Sequence, residues 1–151
     1  MTILEALLAY LHFAAILTLV VFMTSRAALC RPAWLNAAVV LRLRRVDRIF
    51  QGAMGFVLAT GLARMAWGAK GLAWYAGQPL LQAKIAVFAL IWLISLRATC
   101  RFGAWARAQA VGGALPPASE VDAARRWVMV EGHLLLLLPL AAVFAARGIG
   151  S

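Results

Sequence analysis

The first apolar run, Ile3 to Ser25, constrains this chain more than any other feature: it is long enough to cross a bilayer and carries a histidine, His12, near its middle. A hydrocarbon core of about 30 Å is crossed by about 20 helical residues. A polar side chain inside such a run needs a partner or a purpose. Three further apolar runs follow, at about 49–67, 79–96 and 120–147. The expected fold is all-α: an integral membrane four-helix bundle, with residues 1–151 forming a single four-span domain and a short amphipathic cytoplasmic helix between the first two spans.

Composition agrees with a membrane chain. Hydrophobic residues make up 65% and charged residues only 13%, against roughly 25% charged in soluble domains. The net charge of +10 would suggest nucleic acid if it lay on a soluble face. Instead, 11 of the 15 basic residues fall in two stretches between apolar runs, 26–48 and 97–126. By the positive-inside rule these stretches are cytoplasmic, so both termini are expected on the periplasmic side of a bacterial cytoplasmic membrane. Nucleic acid is not expected as a partner, and the lipid bilayer is, with some attraction to anionic headgroups as a by-product. Arg26 is the first basic side chain and Glu5 stands where a secretory signal would be positive, so the first helix is expected to be retained. Cys30 and Cys100 lie 70 positions apart, which resembles neither a zinc site nor a redox pair. Two reduced thiols are expected.

The connections carry their own signals. Between Arg26 and Arg48 six arginines oppose the single acid Asp47. Within that stretch Pro32 can start a helix, and Leu35, Val39, Leu43 and Val46 recur at three- and four-residue spacing, the pattern of an amphipathic helix in the headgroup layer. Helix 2 holds Gly52, Gly55 and Gly61, small residues that let another backbone approach, within the bundle or from a second copy or membrane partner. The 68–78 connection, with Lys70, Trp74 and Tyr75, has the aromatic composition of the opposite interface. Pro79 suits the first position of helix 3. Gly112 and Gly113 with Pro116 and Pro117 break the chain before Ser119, a candidate N-cap with Asp122 in the first turn. Helix 4 should bend at Pro139 and end at Arg147 and Gly148.

Depths follow from the 1.5 Å rise per helical residue. His12 lies roughly 13 Å below the outer face, Lys84 roughly 7 Å and Arg64 roughly 4 to 5 Å, all in one leaflet. His133 and Glu131 lie about 9 Å and 6 Å from the opposite face, leaving the two histidines about 7 Å apart in depth. A haem held by two histidines needs them at one level. His12 as the only protein ligand to a haem iron, with Arg64 and Lys84 pairing with its propionates, fits the depths better, and His133 becomes a second ligand only if helix tilt closes the gap. Each residue also has a plain reading. His12 could hydrogen-bond a carbonyl across the bundle, Arg64 and Lys84 could reach up to headgroups, and Glu131 could pair with Arg125 or Arg126. Met23, Met54, Met65 and Met129 show no paired spacing, which argues against a copper path.

The segments AYLHFAAI, RVDRIFQGAMGFVLATGLAR, KGLAWYAGQPLLQAKIAVFALI and EGHLLLLLPLAAVFAARG resemble the small four-span bacterial membrane proteins grouped as domain of unknown function 2214. That resemblance covers nearly the whole chain and brings a topology without an activity. More distantly, a histidine in helix 1 and LLQAKIAV at the start of helix 3 are similar to the J-type protoporphyrinogen oxidase and, more weakly, to the copper-resistance D membrane domain. The oxidase resemblance implies haem b at His12 and a role in activity for Lys84. The first loop and last helix do not follow the oxidase pattern closely.

The leading expectation is a haem b-binding redox membrane protein, an oxidase of a porphyrin or quinone. The competing readings are a transporter or metal-handling protein, with His12, His133 and Glu131 as ion ligands, and a non-catalytic accessory subunit that docks through the helix 2 glycines.

Overall fold

The computed structural model describes residues 2–67 and 77–146, and within them four long helices. These are α1 (Ile3–Leu29), α2 (Ala37–Ala66), α3 (Pro79–Ala110) and α4 (Ala118–Ala146), with a 3-10 turn, Pro32–Trp34, between the first two. The expectations for Lys70, Trp74 and Tyr75 and for the end at Arg147 and Gly148 lie outside the described residues.

Each helix start has a local cause. Thr2 caps α1 in a capping box: its hydroxyl accepts from Glu5 N, and Glu5 accepts in return from Thr2 N at 2.7 Å. Asn36 caps α2, its side chain accepting from Val39 N at 3.0 Å. Pro79 opens α3, as its spacing predicts. α4 begins one residue before the expected cap Ser119, because the Pro117 carbonyl already accepts from Glu120 N and Val121 N.

The helices are longer than the apolar runs. The amphipathic stretch before helix 2 is helical, as expected, and continues into the span as one 30-residue helix, since neither glycine nor proline interrupts it between Asn36 and Gln51. α3 runs past Leu96 to Ala110 and stops at Gly112, whose φ of 72° is a left-handed conformation that only glycine adopts cheaply. There Gly113 N donates to the Ala108 carbonyl at 2.8 Å. α4 remains helical through Pro139.

The chain runs up, down, up and down. α1 packs most extensively on α2 and α3 on α4, and the α2–α3 and α1–α4 contacts close the ring. Buried positions recur at three and four residues on every helix: 12, 15, 19, 23 and 26 on α1; 40, 43, 47, 50, 54 and 57 on α2; 88, 91, 95, 98 and 102 on α3; 121, 124, 128 and 131 on α4. That seam is the mark of interdigitated antiparallel helices. Large apolar side chains such as Phe13, Leu17, Phe56, Leu93 and Leu136 face outward, where a bilayer would cover them. Among the described residues α1, α2 and α3 each hold an apolar window long enough to cross a membrane, and α4 completes the bundle.

The helix 2 glycines do not share one neighbour. Gly61 faces His12 of α1, Gly55 faces Trp92 of α3, and a side chain at Gly52 would meet open space. Cys30 and Cys100 are both free thiols, the first buried and the second exposed.

Candidate functional site

The apolar seam carries two polar layers. The first lies toward the end formed by Thr2, Trp67 and Pro79. His12 is only 8% exposed, and its Nδ1 stands 2.8 Å from the Thr60 hydroxyl of α2. The Thr60 hydroxyl also reaches the Phe56 carbonyl at 2.7 Å and the Val57 carbonyl at 3.2 Å. When that hydroxyl donates to its own helix, Nδ1 is the donor to Thr60 and Nε2 keeps its lone pair. The ring lies close against α2 because residue 61 is glycine: a Cβ there would sit 3.4 Å from His12 Cε1.

The structure brings the other two expected site residues to this layer. Arg64 follows Thr60 by one turn and is exposed; Lys84 comes from the first turns of α3 and is half-buried. An imidazole and two cations thus stand toward the same end of the bundle.

His133 does not join it. Its Nδ1 bonds to the Met129 carbonyl of its own helix at 2.6 Å, and its side chain is exposed in an apolar groove of about 180 Å³ shared with Met23, Thr24 and Ala27 of α1. Met23 lies 11 residues beyond His12, so the two histidines are about 17 Å or more apart along the bundle rather than about 7 Å. Counted from Ile3 and from Trp127, the two depths leave out that α1 continues to Leu29 and that α4 already begins at Ala118, which lengthens the bundle between the two histidines. A single iron bound by both histidines is excluded in this packing.

The second layer was not anticipated. Arg26, Asp47 and Glu131 are all fully buried. Arg26 Nε stands 3.2 Å from Asp47 Oδ1 and its Nη1 stands 2.9 Å from Glu131 Oε2. The guanidinium lies between the faces of Phe50 and Phe102, at 4.1 and 5.7 Å from the ring centres. Glu131 was expected to act with His133 or to pair with Arg125 or Arg126; it meets Arg26 across the bundle, because position 131 lies on the inner stripe of α4.

Hydrogen bonds extend this layer through the bundle. Asp47 Oδ1 accepts from Thr99 Oγ1 at 3.1 Å, and Asp47 Oδ2 accepts from Arg44 at 3.3 Å. Gln51 Nε2 donates to Thr99 at 2.8 Å and to Ser95 at 2.9 Å, while its Oε1 accepts from Trp92 Nε1 at 2.8 Å. One polar path thus joins α3, α2, α1 and α4. Glu131 Oε1 and Arg26 Nη2 have no hydrogen-bond partner among the described residues. The signal in the sequence was register: Arg26 falls at the same three-and-four spacing as His12, Ala15, Leu19 and Met23, so it had to point inward.

No group of three or more His, Cys, Asp or Glu side chains with metal-binding geometry occurs among the described residues. No curated protein and no solved structure matches the chain. A family profile described as predicted membrane protein, DUF2214, matches residues 4–150, and with nearly its full length covered the chain belongs to that family.

Proposed function

We propose that the His12 layer binds haem b and that the protein is a redox protein of the bacterial cytoplasmic membrane, an oxidase of a porphyrin or quinone, with both termini on the periplasmic side. One observation carries the reading. The Thr60 hydroxyl stands 2.8 Å from Nδ1 of a buried imidazole, which orients the ring and, with Nδ1 as the donor, leaves Nε2 its lone pair. A partner on the far ring nitrogen is how metal-ligating histidines are fixed in tautomer and direction.

The donor set fits the group. His12 Nε2 would hold the haem iron, and Arg64 and Lys84 would pair with two propionates at the interface. Bound there, the haem would supply one-electron redox chemistry. The chain's own residues hold the imidazole, neutralise carboxylates and present the Lys84 amine, which the oxidase resemblance links with activity, to a substrate entering from the bilayer. The transporter reading draws less support. His12 and Glu131 lie in different layers, and Glu131 is already paired with Arg26. An accessory subunit would be colourless.

The test is the visible spectrum of the full-length protein, purified in detergent from cells supplied with a haem precursor. A Soret band is expected. His12→Ala should abolish it, His133→Ala should leave most of it, and Lys84→Ala should keep bound haem while lowering its retention or any oxidase activity. Colourless wild-type protein, or a band unchanged by His12→Ala, overturns the proposal.

A further inference from the structure

At the arginine-rich end, two guanidinium groups from different helices converge on one glycine. A Cβ built on Gly103 of α3 would lie 3.5 Å from Arg44 Cζ and 3.7 Å from Arg44 Nη2, both from α2, and 3.5 Å from Arg107 Nη1. The two terminal nitrogens are therefore no more than about 7 Å apart, a spacing at which like charges repel unless an anion lies between them. The protein's own carboxylates do not fill that role. Asp47, which Arg44 Nη1 contacts at 3.3 Å, is already shared with Arg26 at 3.2 Å. Arg107 has no ion pair and no hydrogen bond among the described residues, and no hydrogen bond falls on Arg44 Nη2. Of the other acids near this end, Glu131 is bound by Arg26, Glu120 accepts from Trp105 at 3.0 Å, and Asp122 forms no ion pair among the described residues.

Depth indicates the kind of anion. Gly103 is 24 residues past Pro79 and Arg44 is 23 residues before Trp67. Both stand about 35 Å from the opposite end of the bundle, beyond a hydrocarbon core of about 30 Å but within the 40–45 Å that includes headgroups. That is the level of lipid phosphates.

We propose that Arg44 and Arg107, meeting over Gly103, clamp the phosphate of an anionic phospholipid between α2 and α3. Two guanidiniums offer several N–H donors to phosphate oxygens, and the absence of a side chain at Gly103 lets both approach the α3 backbone. The site is separate from the His12 layer and does not depend on haem.

The test is native mass spectrometry of the full-length protein released from mixed phosphatidylglycerol and phosphatidylcholine nanodiscs. Wild type should retain one phosphatidylglycerol in preference to phosphatidylcholine. Arg107→Gln, at an exposed and unpaired position, should fold normally and weaken that retention about tenfold, the loss expected of one charge-assisted contact. Arg126→Gln, an exposed arginine elsewhere at the same end, should change it less than about twofold on the same scale. Equal losses from the two variants would mean a diffuse basic surface and overturn the clamp. So would equal retention of the two lipids. Displacement of phosphatidylglycerol by millimolar inorganic phosphate, with thermal stabilisation by that phosphate in pure phosphatidylcholine, would assign the site to a soluble anion and overturn the lipid assignment.

Discussion

Replacing Arg26 by methionine should be among the most damaging single changes in this protein, and the cost can be built from its neighbours. The substitution leaves Asp47 and Glu131 buried at 0% exposure. Asp47 keeps Arg44 at 3.3 Å and the Thr99 hydroxyl at 3.1 Å, so part of its charge remains balanced. Glu131 loses its one ionic partner among the described residues. Removing one member of a buried pair costs about 3–5 kcal/mol, and methionine packing between Phe50 and Phe102 restores only some of the lost stacking. A net loss of about 4 kcal/mol, at about 2–4 °C per kcal/mol for a chain of this size, lowers Tm by roughly 10 °C. Glu131→Gln keeps an acceptor for Arg26 Nη1 and leaves the guanidinium with Asp47, so it should cost about 1–2 kcal/mol, or roughly 5 °C. The double variant Arg26→Met with Glu131→Met also removes the Glu131 charge, leaving Asp47 with Arg44 and Thr99, and should recover at least half of the loss. Thermal melting of the full-length protein in detergent, followed by tryptophan fluorescence, measures all three. An Arg26→Met Tm within about 2 °C of wild type, or a double variant that melts no higher than the single one, would refute the buried-charge account.

Two further outcomes are expected. Along α2, Gly61→Leu should destabilise most, by about 2–3 kcal/mol, because its side chain would drive into the His12 ring; Gly55→Leu should cost less, against the edge of Trp92, and Gly52→Leu should be nearly neutral in the same melting assay. Equal losses at all three would mean that the glycines face one packed neighbour after all. For orientation, an alkaline phosphatase fusion after Ser151 should be active and one near Gly112 inactive, since the arginine-rich ends of α2 and α3 favour the cytoplasm; the opposite pattern would reverse the assignment of both faces.

The four helices and their direction were legible in the chain because a bilayer imposes length and composition rules that act on each segment separately. Ile3 to Ser25 is a span whatever its neighbours do, and Pro79 and Gly112 bound α3 through their own backbone preferences. The residues His12, Arg64 and Lys84 could be placed in one half of the bundle by counting, since they lie near helix ends that share a face. Counting failed where helices outran their apolar runs. His133 was placed about 7 Å from the level of His12, and the structure separates them further because α1 runs on to Leu29 and α4 begins at Ala118, well before Trp127, which brings Met23 beside Met129 and His133. It also failed for Arg26, Asp47 and Glu131, which lie 21 and 84 positions apart in sequence: the first two look like loop charges, and Glu131 has nearer candidate partners in Arg125 and Arg126. Their burial depends on which stripe of each helix turns inward and on the vertical offset between four helices. Those quantities are set by side-chain packing among all four segments at once, and no single segment contains them.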